Sequence, residues 1–178
     1  VFGYPLMWMM YSSLKTSPDI LKHIWDLPAN PSLQSYLGLF NAAPFGTYYR
    51  NSIIMTAVSV PILTITAALA AYAFARVRFP LRTPIFYLFL AGTMIPIHVT
   101  LIPLFVLMRN IGLLGSVMAM VLPFVGFGLP VSIFILRGFF EQIPLEIEEA
   151  ARIDGCSTVG IFWSIVVPLA RPALVTVI

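Results

Sequence analysis

Glu146, Glu148, Glu149, Arg152 and Asp154, closed by Gly155, form the densest group of ionisable side chains in this chain. Catalysis is one use for carboxylates at such spacing, but no Ser-His-Asp set or catalytic carboxylate pair can be placed together, and no Gly-rich loop is present to cradle phosphate. The single cysteine, Cys156, excludes an internal disulfide framework, and no Cys or His cluster has metal-ligand spacing. Docking to another protein is the chemistry that remains. Pro144 preorganises a first helical turn, and Glu146, Glu148 and Glu149 complement the positive end of its dipole, each contributing about 0.3–1 kcal/mol. Glu148 and Arg152 stand four apart in the favourable order, and Gly155 can take the left-handed conformation that ends a helix. Ser157 or Thr158 can cap a second short helix through Phe162 and Trp163. The result is a helix-turn-helix outside the membrane. Ala150 and Ala151 leave one side of its first helix nearly flat, fit to enter a cleft on a partner, with Glu149 offered to a basic group.

The elements that must hold this stretch are membrane helices. Charged residues make up 10% of the chain and apolar residues 60%, against about 25% charged in soluble domains, so a water-facing surface cannot be built and the solvent must be lipid. The gaps between Arg50 and Arg76, Arg82 and Arg109, and Arg109 and Arg137 carry no charge; each holds the ~20 apolar residues of a spanning helix. Three complete spans are expected. The net charge of +3 is too small and scattered for nucleic-acid binding.

Val1 to Leu14 reads as the outer end of a span ended by Lys15, and the chain stops at Ile178 inside another apolar run, so it reads as a fragment cut in two helices. Thr16 to Arg50 is broken by Pro18, Pro28, Pro31 and Pro44 and carries Trp25, Tyr36, Phe40, Phe45, Tyr48 and Tyr49, a loop with short helical pieces whose rings suit the membrane interface. Asn51 to Ala75 is rich in Ala, Ser and Thr, which let helices approach closely. Arg76, Arg78 and Arg82 then mark a cytoplasmic turn. Pro84 to Met108 returns outward with Gly92, Met94, Pro96, His98 and Pro103 at mid-depth, where freed carbonyls must meet protein or a watery path. His98 either lines such a path or is a neutral hydrogen-bonded residue of the bundle. Leu113 to Leu136 crosses back, and Pro123, Gly126, Gly128 and Pro130 predict a bent or locally unwound helix. The inferred inner segments carry Arg76, Arg78, Arg82, Arg137, Arg152 and Arg171; the outer ones carry Lys15, Lys22, Arg50 and Arg109 over a longer stretch. This places the carboxylate-rich stretch inside the cell.

Glu149-Ala150-Ala151, then Gly155, then Ile165, Val167 and Pro168 resemble the EAA loop of the membrane subunits of binding-protein-dependent ABC importers, with Val167 where Leu is usual and Cys156 where a small residue is frequent. Tyr49-Arg50-Asn51-Ser52, Met94-Ile95-Pro96, Leu101-Ile102-Pro103-Leu104, Leu136-Arg137-Gly138-Phe139-Phe140, Ile143-Pro144 and Ala151-Arg152-Ile153-Asp154-Gly155 are similar to carbohydrate-type permeases, particularly the smaller membrane subunit of the maltose transporter. The resemblance covers nearly the whole chain.

It implies an all-α, polytopic type I importer bundle of six spans, of which residues 1–178 would hold part of the first, the second to fourth and the start of the fifth as one permease domain. Residues 15–50 would be an external loop and 138–167 the cytoplasmic docking loop, with Glu149, Ala150, Ala151, Asp154 and Gly155 meeting the ATPase. Met94, Pro96, His98, Gly126 and Gly128 are the candidate pathway residues. The implied partners are a second homologous permease subunit, two cytoplasmic ATPase subunits that bind the ATP, an external solute-binding protein and the bilayer of a bacterial or archaeal plasma membrane. The chain itself would hold no cofactor and be no enzyme. The alternatives are a permease for another solute, such as a peptide or phosphonate, or a secondary carrier or polytopic membrane enzyme, which would need intramembrane carboxylates or paired His; the three spans offer only His98.

Overall fold

Lipid offers no partner to a backbone N–H or C=O, so a chain this apolar must close its hydrogen bonds within helices. The computed structural model describes residues 3–178, and every regular element among them is helical. Val1 and Phe2, which open the stretch read as the end of a span, lie outside the described residues. Two compact units form, one through Asn51 and one from Ser52 to Ile178.

The first unit holds α1 (Gly3–Ser12), α2 (Ser17–Lys22), α3 (Gln34–Ala42) and the opening turns of α4 (Phe45–Arg76). Its loop folds back on α1. Trp8 Nε1 donates to Ile24 O at 2.9 Å, and the Trp25 ring lies 6.2 Å from those of Tyr4 and Trp8. Lys15 follows the end of α1, as its charge leads one to expect, but it is buried: its Nζ donates to His23 O at 2.7 Å beside the Tyr11 ring. Phe40, Phe45, Tyr48 and Tyr49 form a second aromatic cluster.

The second unit holds the rest of α4, then α5 (Arg82–Gly92), α6 (Ile97–Asn110), α7 (Met118–Gln142), α8 (Leu145–Ile153), α9 (Thr158–Ile161), a π-helical segment (Phe162–Val166), α10 (Val167–Leu169) and α11 (Arg171–Val177). Small residues set how closely α4 is approached. Ala67, Ala68 and Ala71 are buried in a core with Ile133, Leu136 and Phe140 of α7, Ala151 of α8, and Ile161, Phe162 and Val166 beyond it. Nearer the other end of α4, Leu63 packs with Val121 and Val125 of α7. There Gly128 permits close approach, because a Cβ built on it would fall 2.9 Å from Leu63 Cδ2.

Two expectations about the spans change. α4 and α7 are each long and apolar enough to cross a membrane; the stretch read as one span from Pro84 to Met108 is long and apolar enough only as two helices together, α5 and α6, bent by 97° where they meet. Pro96 has no N–H to give and disfavours helical geometry at Ile95, and the last bonds before it tighten to three-residue spacing, with Met94 N donating to Ala91 O at 3.1 Å and Ile95 N to Gly92 O at 3.3 Å. α7, expected to be bent or locally unwound, runs as one unbroken helix through Pro123, Gly126, Gly128 and Pro130, so it does not unwind there. Val121 and Val125 on one side of Pro130, and Ile133, Leu136 and Phe140 on the other, are all buried. Packing on both flanks holds α7 helical against its local propensities.

The close approach at Gly128 is testable. Gly128→Ile should lower the melting temperature of the detergent-solubilised protein by overpacking worth about 1–3 kcal/mol, and adding Leu63→Ala should recover most of the loss. Equal melting of the single variant and the parent would refute the contact.

Candidate functional site

The carboxylate-rich stretch folds largely as its local chemistry dictates. Pro144, in extended conformation, precedes α8, Glu146 and Glu148 lie in its first turn, and Arg152 lies in its last. Gly155 has φ +87° and closes the helix: Gly155 N donates to Arg152 O at 3.0 Å and Cys156 N to Ala151 O at 2.9 Å, the paired bonds of a Schellman termination. Ser157 caps α9 by accepting from Gly160 N at 3.1 Å. The second helix of the pair is therefore short, passing at Phe162 into the π segment; the run from Thr158 to Leu169 then meets α11 at 78°.

Side-chain placement is less local. Glu148 does not pair with Arg152 as its i,i+4 spacing predicts; it turns inward and is only 1% exposed. Its Oε1 accepts from Arg76 Nε at 2.6 Å and its Oε2 from the Tyr72 hydroxyl at 3.0 Å. Arg76 also donates through Nη2 to Ile143 O at 2.6 Å. Arg76 was read as one of several basic residues at a membrane end, yet its side chain is 8% exposed. One guanidinium thus joins the end of α4, the end of α7 and the start of α8. Sequence reasoning missed this cluster, although Tyr72 and Arg76 stand one turn apart on an otherwise Ala-rich helix, and Glu148 and Ala151 define the inward face of α8.

With Glu148 and Ala151 buried, α8 presents Glu149, Ala150, Arg152, Ile153 and Asp154 outward, followed by Gly155. Ala151, expected on the docking surface, instead packs into the chain's own core. At the same end, Glu141 accepts from Arg137 Nε at 2.8 Å and lies 3.7 Å from Arg82 Nη2, while the Arg137 guanidinium stacks 4.0 Å from the Phe86 ring centroid. Three of the arginines expected at the inner membrane end, Arg76, Arg82 and Arg137, therefore hold structural contacts.

The candidate pathway residues separate. Pro96 and Gly126 line one apolar groove of about 700 Å³ between α5, α6 and α7. Gly128 lines a second groove of about 610 Å³, shared by α4, α6, α7 and α11. Met94 and His98 are exposed and line neither groove.

The described residues thus hold two helices long and apolar enough to cross a membrane and a short helix, α8, fixed by Glu148 and exposed on its other face. The chain belongs to the family of binding-protein-dependent transport system inner membrane components, whose model matches residues 62–178. It is 42% identical over 97% of its length to a protein of Caldicellulosiruptor named as an ABC transporter permease, covering 63% of that protein. It is 34% identical over 97% of its length to the diacetylchitobiose uptake system permease protein of Streptomyces coelicolor, covering 57% of it. In structure it matches a chain of a bacterial ABC transporter involved in import of the acidic polysaccharide alginate, with TM-score 0.85 and 28% identity over 99% of this chain and 62% of that one. The chain thus spans about three-fifths of the length of its relatives.

The left-handed Gly155 should be needed for the shape of α8. Gly155→Val, forced to φ +87°, should destabilise the helix end by about 1–2 kcal/mol. Hydrogen exchange should then rise at the amides of residues 154–156, and unchanged protection there would contradict the assigned termination.

Proposed function

We propose that the chain is part of the membrane-spanning subunit of an ATP-driven importer for a saccharide, and that α8 is where it receives force from cytoplasmic ATPase subunits. The observation that carries this reading is the pinned α8 with Glu149, Ala150 and Asp154 turned outward, in a chain whose relatives are named as permeases. On this reading residues 138–167 lie on the inner side of a bacterial or archaeal plasma membrane and residues 15–50 on the outer side. A solute-binding protein delivers cargo from outside, ATP is bound by the ATPase subunits, and a second permease subunit completes the pathway.

The saccharide assignment rests on the relatives: one is named for diacetylchitobiose uptake, and the structural neighbour serves import of alginate. An exposed helix face of small residues, a carboxylate and a cation can seat in a cleft through shape and charge together. ATP closure then biases the bundle between two arrangements. The apolar grooves beside α7 supply the flanks that such rearrangement would open and close.

Glu149→Lys should leave membrane insertion intact, abolish capture of the ATPase subunits on co-purification and reduce ATP-driven uptake to background. Normal uptake by this variant would overturn the docking assignment. Gly126 has open space around the position of a Cβ, so Gly126→Leu should fold normally. It should nevertheless slow uptake severalfold by filling the groove. Parental uptake by a folded Gly126→Leu protein would remove this groove from the pathway.

A further inference from the structure

We infer that Tyr72, Arg76 and Glu148 form the mechanical link that carries displacement of α8 into membrane helix α4, acting as positioning residues for coupling as well as ties within the fold. The inference rests on the docking role proposed above for α8. Only two residues of α8, Glu148 and Ala151, are buried. Ala151 gives a small apolar contact, and such contacts are non-directional, so they resist sliding or rotation weakly. Glu148 gives direction. Both of its carboxylate oxygens are held, and the two donors stand one turn apart on α4.

Arg76 extends the link to the α7–α8 junction through Ile143 O, the residue before Pro144. Displacing α8 therefore either drags the last turn of α4 with it, and through Arg76 the end of α7, or breaks the two bonds that hold Glu148 in a buried site. Unpaired charge in such a site is strongly disfavoured, so movement of the elements as a body is favoured. The ring of Tyr72 is itself wedged between Phe140 of α7 and Phe162 beyond α9, with centroids 6.4 Å and 5.2 Å away. Further along, α4 meets α7 at the Leu63–Gly128 contact, beside one of the two grooves. Force entering at Glu148 thus has a continuous packed route to the groove-lining part of the bundle.

A purely structural role makes a different forecast, because a buried ion pair can often be replaced by apolar residues of similar volume without loss of stability. The test uses the assembled transporter, with its ATPase subunits and binding protein, in vesicles, and reads saccharide taken up per ATP hydrolysed alongside melting temperature. The Arg76→Met/Glu148→Met double variant should melt near the parent, retain ATPase subunits and hydrolyse ATP. Its uptake per ATP should fall about tenfold, within the usual range of coupling between sites. Arg76→Lys, which keeps the charge but not the fork, should be intermediate. Tyr72→Phe preserves the wedged ring and removes a single donor, so it should fold even where the double variant does not, and should lower uptake per ATP by a smaller factor.

Parental uptake per ATP in a stable double variant would overturn the link, and so would parental values in Tyr72→Phe and Arg76→Lys together. Failure of the parental chain to retain ATPase subunits at all would instead overturn the docking reading on which the link depends.

Discussion

The second unit of this protein is organised around a buried carboxylate that cannot be left alone. Glu148 is nearly inaccessible, and an uncompensated charge in such a site would cost several kcal/mol. Arg76 and Tyr72 satisfy it, and in doing so they fix where α8 lies and which of its faces is exposed. An apolar residue at this position would bury as well, but without specifying rotation about the helix axis. Two donors one turn apart on α4 orient the carboxylate, and the third bond, to Ile143 O, ties the orientation to the end of α7. Removing either partner of such a pair typically costs about 3–5 kcal/mol, so the arrangement is both expensive to disturb and specific.

The same economy of partners explains where the helices break. Pro96 and Pro130 both lack a backbone donor, yet only the first coincides with a break in the helix. The difference lies in what surrounds them. Around Pro130, buried Val125 and Ile133 hold successive turns of α7 in register on α4. Around Pro96, Met94, Ile95 and Ile97 are all exposed, so no packing opposes the turn that Gly92, Thr93 and Pro96 prefer. A proline sets a local cost, and burial on both sides decides whether the helix bears it.

What could be read from sequence follows the same division between local and distant causes. The start of α8 after Pro144, its end at Gly155 and the cap at Ser157 depend on neighbours within a few residues, and all three were legible. The long apolar gaps identified α4 and α7, because length and absence of charge suffice for a span. The partner of Glu148 was not legible: Arg152 lay at helical spacing, whereas Arg76 lies 72 residues away. Both choices satisfy charge, but the distant one offers two donors, Arg76 and Tyr72, in a buried site, and nothing within a few residues of Glu148 announces them. Lys15 shows the limit again. Its charge marked the end of α1, but nothing local signalled that its ammonium would be covered and bonded to His23 O.

Within the second unit α4 and α7 meet in two places, in the core around Ala67, Ala68 and Ala71 and at the Leu63–Gly128 approach, and Arg76 ties α8 to the ends of both. α6 is different. Met108 is its only buried residue, it joins α5 across the 97° break, and Ile97 and Leu104 line both grooves. Elements with few buried contacts open at lower free energy than the core they flank.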